Sequence, residues 1–319
     1  MNTNNILITG ASCFVGFHLA STLAKKKCNV FVTISKKLVT YEGVQKKRLD
    51  FLKKLKIKFN VINLVEKEKV NFLINKINPN FIFHLAADTS GIRQNKFSLK
   101  NSTMNNIKFI ENLYGSIKKK SDTKIIIGST NAEYKNIEGR VNEKSSCDPS
   151  FSHYGSSKLT ASLKAIEIAE QRKIKTLIIR MFNPIGPYDS EYKLLPQVIN
   201  ALKFKKTIDL SPCTHKRDFI YIDRLIEGLV KAMLFLNTTN KNHSIMNLCY
   251  GKPTEIKILL NKISEILKED GSVLKYNVHK LRNGEPFINY GDNSIALKEL
   301  NWEPGDVFKD VYNWISNEK

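Results

Sequence analysis

At 319 residues, with 42% hydrophobic and 25% charged side chains, the chain can bury a large core, which excludes a disordered, collagen-like or disulfide-stapled miniature protein. A formal net charge of +21 raises the prospect of a polyanion-binding face, yet only 8 of the 51 basic residues are Arg, and the Lys is spread along the whole chain among many Asn and Ile. That pattern is a compositional bias rather than a binding face, so nucleic acid is not expected as a partner, although a basic surface draws in small anions.

The first apolar stretch, 6–19, is broken by Thr9, Gly10 and Ser12 and has no basic leader, so it reads as strand, turn and helix rather than as a signal peptide. Short apolar runs then alternate with longer amphipathic stretches, the mark of βαβ units. Strands are expected at 6–9, 30–34, 58–62, 81–85, 124–128 and 176–181, with helices near 17–26, 67–76, 104–118 and 156–171. The fold class that follows is α/β, a doubly wound parallel sheet that binds ligands at the carboxyl ends of its strands. A loop rich in Pro and Gly at 183–189 leads to a helix near 195–203, and 219–222 reads as a return to the sheet. From about Pro253 helices mix with short strands as far as Trp302 and Trp314. The expected division is a sheet domain at 1–182, to which 216–250 returns, and a smaller substrate-binding region at 183–215 and 251–319. No apolar run of about 18 residues exists to cross a bilayer, so no membrane partner and a cytoplasmic location are expected. The five Cys are scattered, odd in number and without a CxxC, which points to reduced thiols with no disulfide framework and no metal site.

The segment ILITGASCFVGFHLA runs strand, tight turn, helix. Gly10 suits the turn and Gly16 suits close helix–strand packing, while Ser12, Cys13, Phe14 and Val15 lie where a pyrophosphate would rest on the first N–H groups of the helix. A ribose-binding Asp or Glu is expected after the second strand of an NAD site. Here Ser35, Lys36 and Lys37 follow instead, a hydroxyl and two cations that suit a 2′-phosphate. NADP(H) is therefore favoured as cofactor, with NAD as the alternative.

Tyr154-Gly-Ser-Ser-Lys158 opens a helical stretch, and its spacing of four puts both side chains on one face. An ammonium near the phenol stabilises tyrosinate, making Tyr154 usable for proton transfer near neutral pH. Together with TGASCFVG, FIFHLAA at 81–87, KIIIGSTNAEY, IIRMFNPIGP at 178–187, KRDFIYID at 216–223 and RNGE at 282–285, the chain resembles the extended short-chain dehydrogenase/reductase family of the NAD-dependent epimerase/dehydratase type. Within it, the nucleotide-sugar-modifying branch looks nearest, and the 4-keto-6-deoxysugar reductases nearest of all. Cys13 departs from the family's TGxxGxxG turn, where a middle Gly lets the backbone approach the phosphates.

The resemblance implies catalytic roles for Tyr154, Lys158 and Thr130, with Lys158 also on the nicotinamide ribose. It implies cofactor contacts from Asn63, Leu64, Leu85, Ala86 and Ala87 besides those of the turn and of Ser35 and Lys36. It implies a nucleotide-diphosphate sugar as substrate, held by Ser129, Thr130, Asn131, Asn183, Arg217, Arg282 and Glu285, and a homodimer formed through the helix of Tyr154. Family dehydratases carry an Asp-Glu pair after the active-site Thr, and Asn131 and Ala132 stand there instead, with Glu133 one place out of register. The expected activity is reduction of a 4-keto group; a 4-epimerase with tightly bound NAD is the alternative. A non-catalytic NADP-binding regulator is disfavoured because the Tyr/Lys pair is present. His84, His153, Trp302 and Trp314 read as packing or loop residues.

Overall fold

The computed structural model describes residues 4–90, 98–119, 121–150, 152–281 and 284–317. The chain begins β1 (Asn5–Thr9), α1 (Phe14–Lys25), β2 (Asn29–Ile34), α2 (Gly43–Lys54), β3 (Lys58–Val61), α3 (Lys67–Ile77) and β4 (Phe81–His84). It continues with α4 (Leu99–Gly115), β5 (Lys124–Thr130), β6 (Gly139–Val141), α5 (His153–Arg172), β7 (Thr176–Met181), β8 (Pro184–Ile185), α6 (Leu194–Lys203) and β9 (Ile208–Asp209). Next come β10 (Lys216–Arg217), β11 (Ile220–Tyr221), α7 (Ile222–Thr238), β12 (His243–Leu248), β13 (Thr254–Glu255) and α8 (Ile256–Leu267). The last elements are β14 (Leu274–Lys275), β15 (Ile288–Gly291), α9 (Ser294–Leu300) and α10 (Val307–Asn317).

Seven strands pair in parallel in the order β12-β7-β5-β4-β1-β2-β3. Their apolar runs are nearly continuous because helices cover both faces. Successive side chains point to opposite faces. Ile6, Ile8 and Ile126 pack toward α1, α2 and α7, whereas Leu7, Ile125 and Ile127 pack toward α3, α4 and α5. The winding reverses between β1 and β4, which are neighbours although two strands, β2 and β3, intervene in order, and such a reversal opens a crevice at the carboxyl ends. A third apolar cluster lies under α6, α8 and α10, beside a four-stranded sheet in the order β13-β10-β15-β6 and two strand pairs, β11-β8 and β14-β9.

The six expected strands all join the main sheet, but the segment at 219–222 does not. Its strand, β11, is two residues long and pairs with β8 outside the main sheet, because Ile222 already begins α7. The seventh strand is β12, which pairs with β7 along six residues, from His243 opposite Thr176 to Leu248 opposite Met181. Helix α2 was not expected: of its residues only Arg48, Leu49 and Leu52 are buried, too thin an apolar stripe to stand out among lysines. Trp302 is buried and donates its indole N–H to Arg224 O at 2.9 Å, and Trp314 packs in the C-terminal cluster.

Candidate active site

β1 ends at Thr9, whose buried hydroxyl accepts the N–H groups of Leu85 and Ala86 at 3.2 and 3.1 Å. With two donors on the oxygen, its own proton goes to His84 Nδ1 at 2.9 Å, so the imidazole is neutral. Burial pushes the His84 pKa down to about 3, as suits a core histidine. This network fastens β1 to β4 at the crevice. Gly10 follows at φ 79°, and a Cβ there would stand 2.8 Å from Ala86 N; a Cβ on Gly16 would stand 2.4 Å from Gly10 O. Neither position admits a side chain without moving backbone, so both glycines do what the sequence asked of them.

Cys13 caps α1, its sulfur accepting the Gly16 N–H at 3.2 Å, and burial raises its pKa, which keeps it a thiol. The side chains of Phe14 and Val15 are buried, whereas their N–H groups lie in the first turn and have no carbonyl acceptor within the helix.

The crevice is a cleft of about 870 Å³. Of the residues named from the sequence as cofactor contacts, Gly10, Ser12, Cys13, Ser35, Lys36, Asn63, Leu64, Leu85, Ala86 and Ala87 line it. Tyr41, Gln45, Asp88 and Asn105 line it as well and were not foreseen. Lys36 Nζ rests over the Tyr41 ring, 4.8 Å from its centroid, which holds a cation at the end of β2. Asp88, beyond β4, is the one carboxylate among the described residues of the lining and accepts Asn105 Nδ2 at 2.7 Å. Asn106 is buried; it accepts the Asp88 N–H at 2.7 Å and donates to Ser157 Oγ at 2.9 Å, tying α4 and α5 to the β4 exit. A dinucleotide fits this cradle: open glycine backbone, the first-turn N–H groups of α1, and a lining that runs from β2 to beyond β4.

Tyr154 and Lys158 sit in the first turns of α5, capped by Ser152 Oγ, which accepts the Gly155 N–H at 3.0 Å. A Cβ on Gly155 would lie 2.0 Å from Ala132 O, so only Gly lets α5 meet the turn at Asn131–Glu133 this closely. That contact sets the start of α5, which carries Tyr154, against the turn capped by Thr130, whose hydroxyl accepts the Ala132 N–H at 3.2 Å and donates to Asn131 Oδ1 at 3.4 Å. Lys158 Nζ is buried and donates to Gly128 O at 2.7 Å. Its pKa is lowered by burial, with Glu133 and Cys13 opposing. The Tyr154 phenol is pushed up to about 12, by burial first and then by Cys13, Glu133 and Tyr192. The acidifying effect expected of Lys158 is therefore not seen in this arrangement, in which the ammonium is engaged on Gly128 and burial governs the phenol.

Not every expected substrate residue faces a ligand. Ser129 is buried and donates its hydroxyl to Glu133, which also accepts Ser162 Oγ at 2.7 Å and Arg180 Nε at 2.8 Å. With Glu133 at 0% exposure, this is a support beneath Thr130, and Ser129 belongs to it rather than to a substrate surface. Arg217 and Glu285 come together at 3.2 Å, although 68 residues separate them. Asn183 donates Nδ2 to Asp218 O at 2.7 Å, next to Arg217 in sequence. Arg282 lies outside the described residues. Arg48 was missed: it donates to Ser12 O at 2.8 Å and to Tyr188 O at 2.9 and 2.6 Å. Its signal was the rarity of Arg in a lysine-rich chain. Among the described residues no group of three His, Cys, Asp or Glu is placed to hold a metal ion, and no helix is long and apolar enough to cross a membrane.

A doubly wound sheet with a glycine turn at its switch point, and a Tyr/Lys pair on the helix beside it, defines a dinucleotide-binding α/β enzyme. The chain belongs to the NAD dependent epimerase/dehydratase family, whose model matches residues 6–249. It is similar to a UDP-glucuronate 4-epimerase of Thermodesulfobacterium geofontis, 26% identical, covering 97% of this chain and 95% of that protein. It is also similar to a CDP-abequose synthase of Salmonella muenchen, 25% identical, covering 93% and 92%. Among solved structures, a UDP-glucuronic acid 4-epimerase from Bacillus cereus in complex with UDP-glucuronic acid and NAD shares the fold, with a TM-score of 0.80, 24% identity and coverage of 98% and 99%. A UDP-glucose 4-epimerase from Thermotoga maritima does so with a TM-score of 0.82, 21% identity and the same coverage.

Proposed function

We propose that the protein reduces the 4-keto group of a nucleotide-activated 4-keto-6-deoxyhexose with NADP(H), acting as a homodimer. The observation that carries the reading is the end of β2, where Ser35 and a held Lys36 line the cleft and no carboxylate stands to take a ribose 2′-hydroxyl. An exchangeable NADP(H) suits net reduction. Asn131 and Ala132 carry no group that moves a proton, and Glu133 is buried on Arg180, which disfavours elimination of water. Met104 on α4 and Leu163 on α5 are exposed apolar side chains, which supports pairing of two copies through these helices.

When bound, the dinucleotide supplies the hydride. Gly10, Ser12, Cys13, Ser35 and Lys36 would hold it, with the N–H groups of Phe14 and Val15 at the pyrophosphate. Tyr154, a neutral phenol at pH 7, donates its proton to the substrate's carbonyl oxygen, and Thr130 Oγ1 positions that oxygen. Lys158 keeps two ammonium N–H groups beyond the one on Gly128, enough to take a ribose hydroxyl and steady the tyrosinate left behind. The Arg217 fork suits the substrate's diphosphate.

A 4-epimerase holding NAD tightly is the second reading, supported by epimerases among the nearly full-length relatives. The test is to denature the purified protein, assay any released nucleotide, and titrate with NADPH and NADH. Protein free of nucleotide that consumes NADPH only with a 4-keto-6-deoxy nucleotide sugar is expected; retained NAD with interconversion of 4-epimers and no net consumption overturns the reductase. In the same assay Tyr154→Phe should lower kcat by about 10²- to 10⁴-fold while leaving the NADPH affinity within about twofold.

A further inference from the structure

Arg48 is 2% exposed on a helix otherwise dominated by solvated lysines. A guanidinium withdrawn from water is tolerated only when its donors are engaged, and its planar fork fixes where the acceptors must stand. Here the fork is split between two segments. Nη1 holds Ser12 O at 2.8 Å, and the N–H of the same peptide group, on Cys13, closes the glycine turn on Gly10 O at 3.0 Å. Nε and Nη2 hold Tyr188 O at 2.9 and 2.6 Å.

Tyr188 sits at φ 62°, in the left-handed region where an aromatic residue is unusual. Its ring packs on Phe17 at 5.0 Å between centroids, and His18 Nε2 donates to the preceding carbonyl, Pro187 O, at 2.9 Å. Just beyond, Ser190, Glu191 and Tyr192 wall a second cavity of about 490 Å³, which shares Lys36 and Gln45 with the cofactor cleft. Tyr192 also acts electrostatically on the Tyr154 phenol.

We propose that Arg48 is a positioning residue that couples the dinucleotide turn to the strap at 187–192. One rigid fork satisfies both carbonyls only at one spacing of turn and strap. A dinucleotide that fixes the Ser12–Cys13 peptide therefore fixes the strap beside Tyr154, and by reciprocity an ordered strap tightens the dinucleotide. The inference rests on the proposed dinucleotide binding but holds for reductase and epimerase alike.

The test is amide hydrogen exchange over 187–192 with and without saturating NADPH, with NADH in parallel, on the parent protein, Arg48→Lys and Arg48→Met. In the parent, NADPH is expected to slow exchange in the strap by about tenfold or more, a shift within the usual range of coupling between sites. Arg48→Lys keeps the charge but not the fork; it should bind NADPH about tenfold more weakly, and NADPH should no longer slow the strap. A parent strap indifferent to the dinucleotide overturns the inference, and that measurement stands even where a variant fails to fold. Slowing that persists in folded Arg48→Lys also overturns it, leaving Arg48 as packing alone. A parent that binds neither dinucleotide overturns the functional reading and this inference together.

Discussion

Cys13 shows how one side chain trades ligand access against helix stability. Its sulfur occupies the Gly16 N–H and lines the cleft where relatives of this turn leave backbone open. Cys13→Gly is expected to tighten NADPH several-fold. It should cost about 0.5–1 kcal/mol of stability, because the cap is lost and Gly adds freedom to the unfolded chain. Fluorescence titration and urea unfolding read the two effects; weaker NADPH binding in the glycine variant would show that the thiol helps hold the phosphates. Arginines carry a parallel lesson. Arg48, Arg172, Arg180, Arg217 and Arg224 each engage at least two acceptor atoms, while lysines fill the surface. Arg217 was legible from its motif. Arg48 and Arg180 were not, since nothing local marks a cation that tertiary contacts bury.

At the scale of elements, the active site depends on how closely α5 approaches the turn after β5. Gly155→Ala would place a Cβ 2.0 Å from Ala132 O, so the helix start must retreat and carry Tyr154 away from Thr130. The expected result is a fall in kcat of about 10²-fold with NADPH binding nearly unchanged, since a misplacement of about 1 Å is enough for such a loss. A variant that keeps its kcat would mean the contact is slack. The sequence already revealed the elements that make this site, β1, β4, β5 and α5, because each couples a periodic apolar pattern to a punctuating Gly or motif. Helix α2 and strand β12 stayed hidden for physical reasons. The α2 helix buries only three residues, and the edge strand β12 is buried only in its second half, so neither shows the pattern its class leads one to expect. Segment 219–222 is apolar for another purpose, since Ile220 and Ile222 are core contacts of the α7 approach rather than rungs of the sheet. The Arg217–Glu285 pair was foreseen as two separate substrate contacts; that they meet is set by β10 pairing with β15.

Across the whole molecule, distant segments are joined by buried polar groups whose ionisation sets the response to acid. Asp218 gathers the N–H groups of Tyr250, Gly251 and Gly291, and burial raises its pKa to about 6. His18, on Pro187 O, is lowered to about 4 and His84, on Thr9, to about 3, both chiefly by burial. A histidine whose pKa falls on folding takes up its proton more readily when unfolded. Its contribution to stability is therefore complete above about pH 6.5 and is lost as the pH drops toward the lowered value. Each fully buried histidine accounts for about 1.4 kcal/mol per pH unit, and His18, which keeps some contact with water, for less. Asp218 works the other way, since a raised acid favours the folded state as pH falls from about 6 toward its unfolded value. Stability should thus fall as the pH drops below about 6.5, and Asp218 offsets part of the histidine loss as it takes up its proton around pH 6. The cleft itself is spared over this range, because the low pKa of folded His84 leaves Nδ1 as the acceptor of the Thr9 hydroxyl, which goes on holding the N–H groups of Leu85 and Ala86. Urea unfolding from pH 7.5 to 5.5 should therefore show stability declining, and His84→Asn, which keeps an acceptor without a titrating ring, should flatten that curve. Flat profiles in the parent, or an unchanged slope in that variant, would place the acid-sensitive group elsewhere.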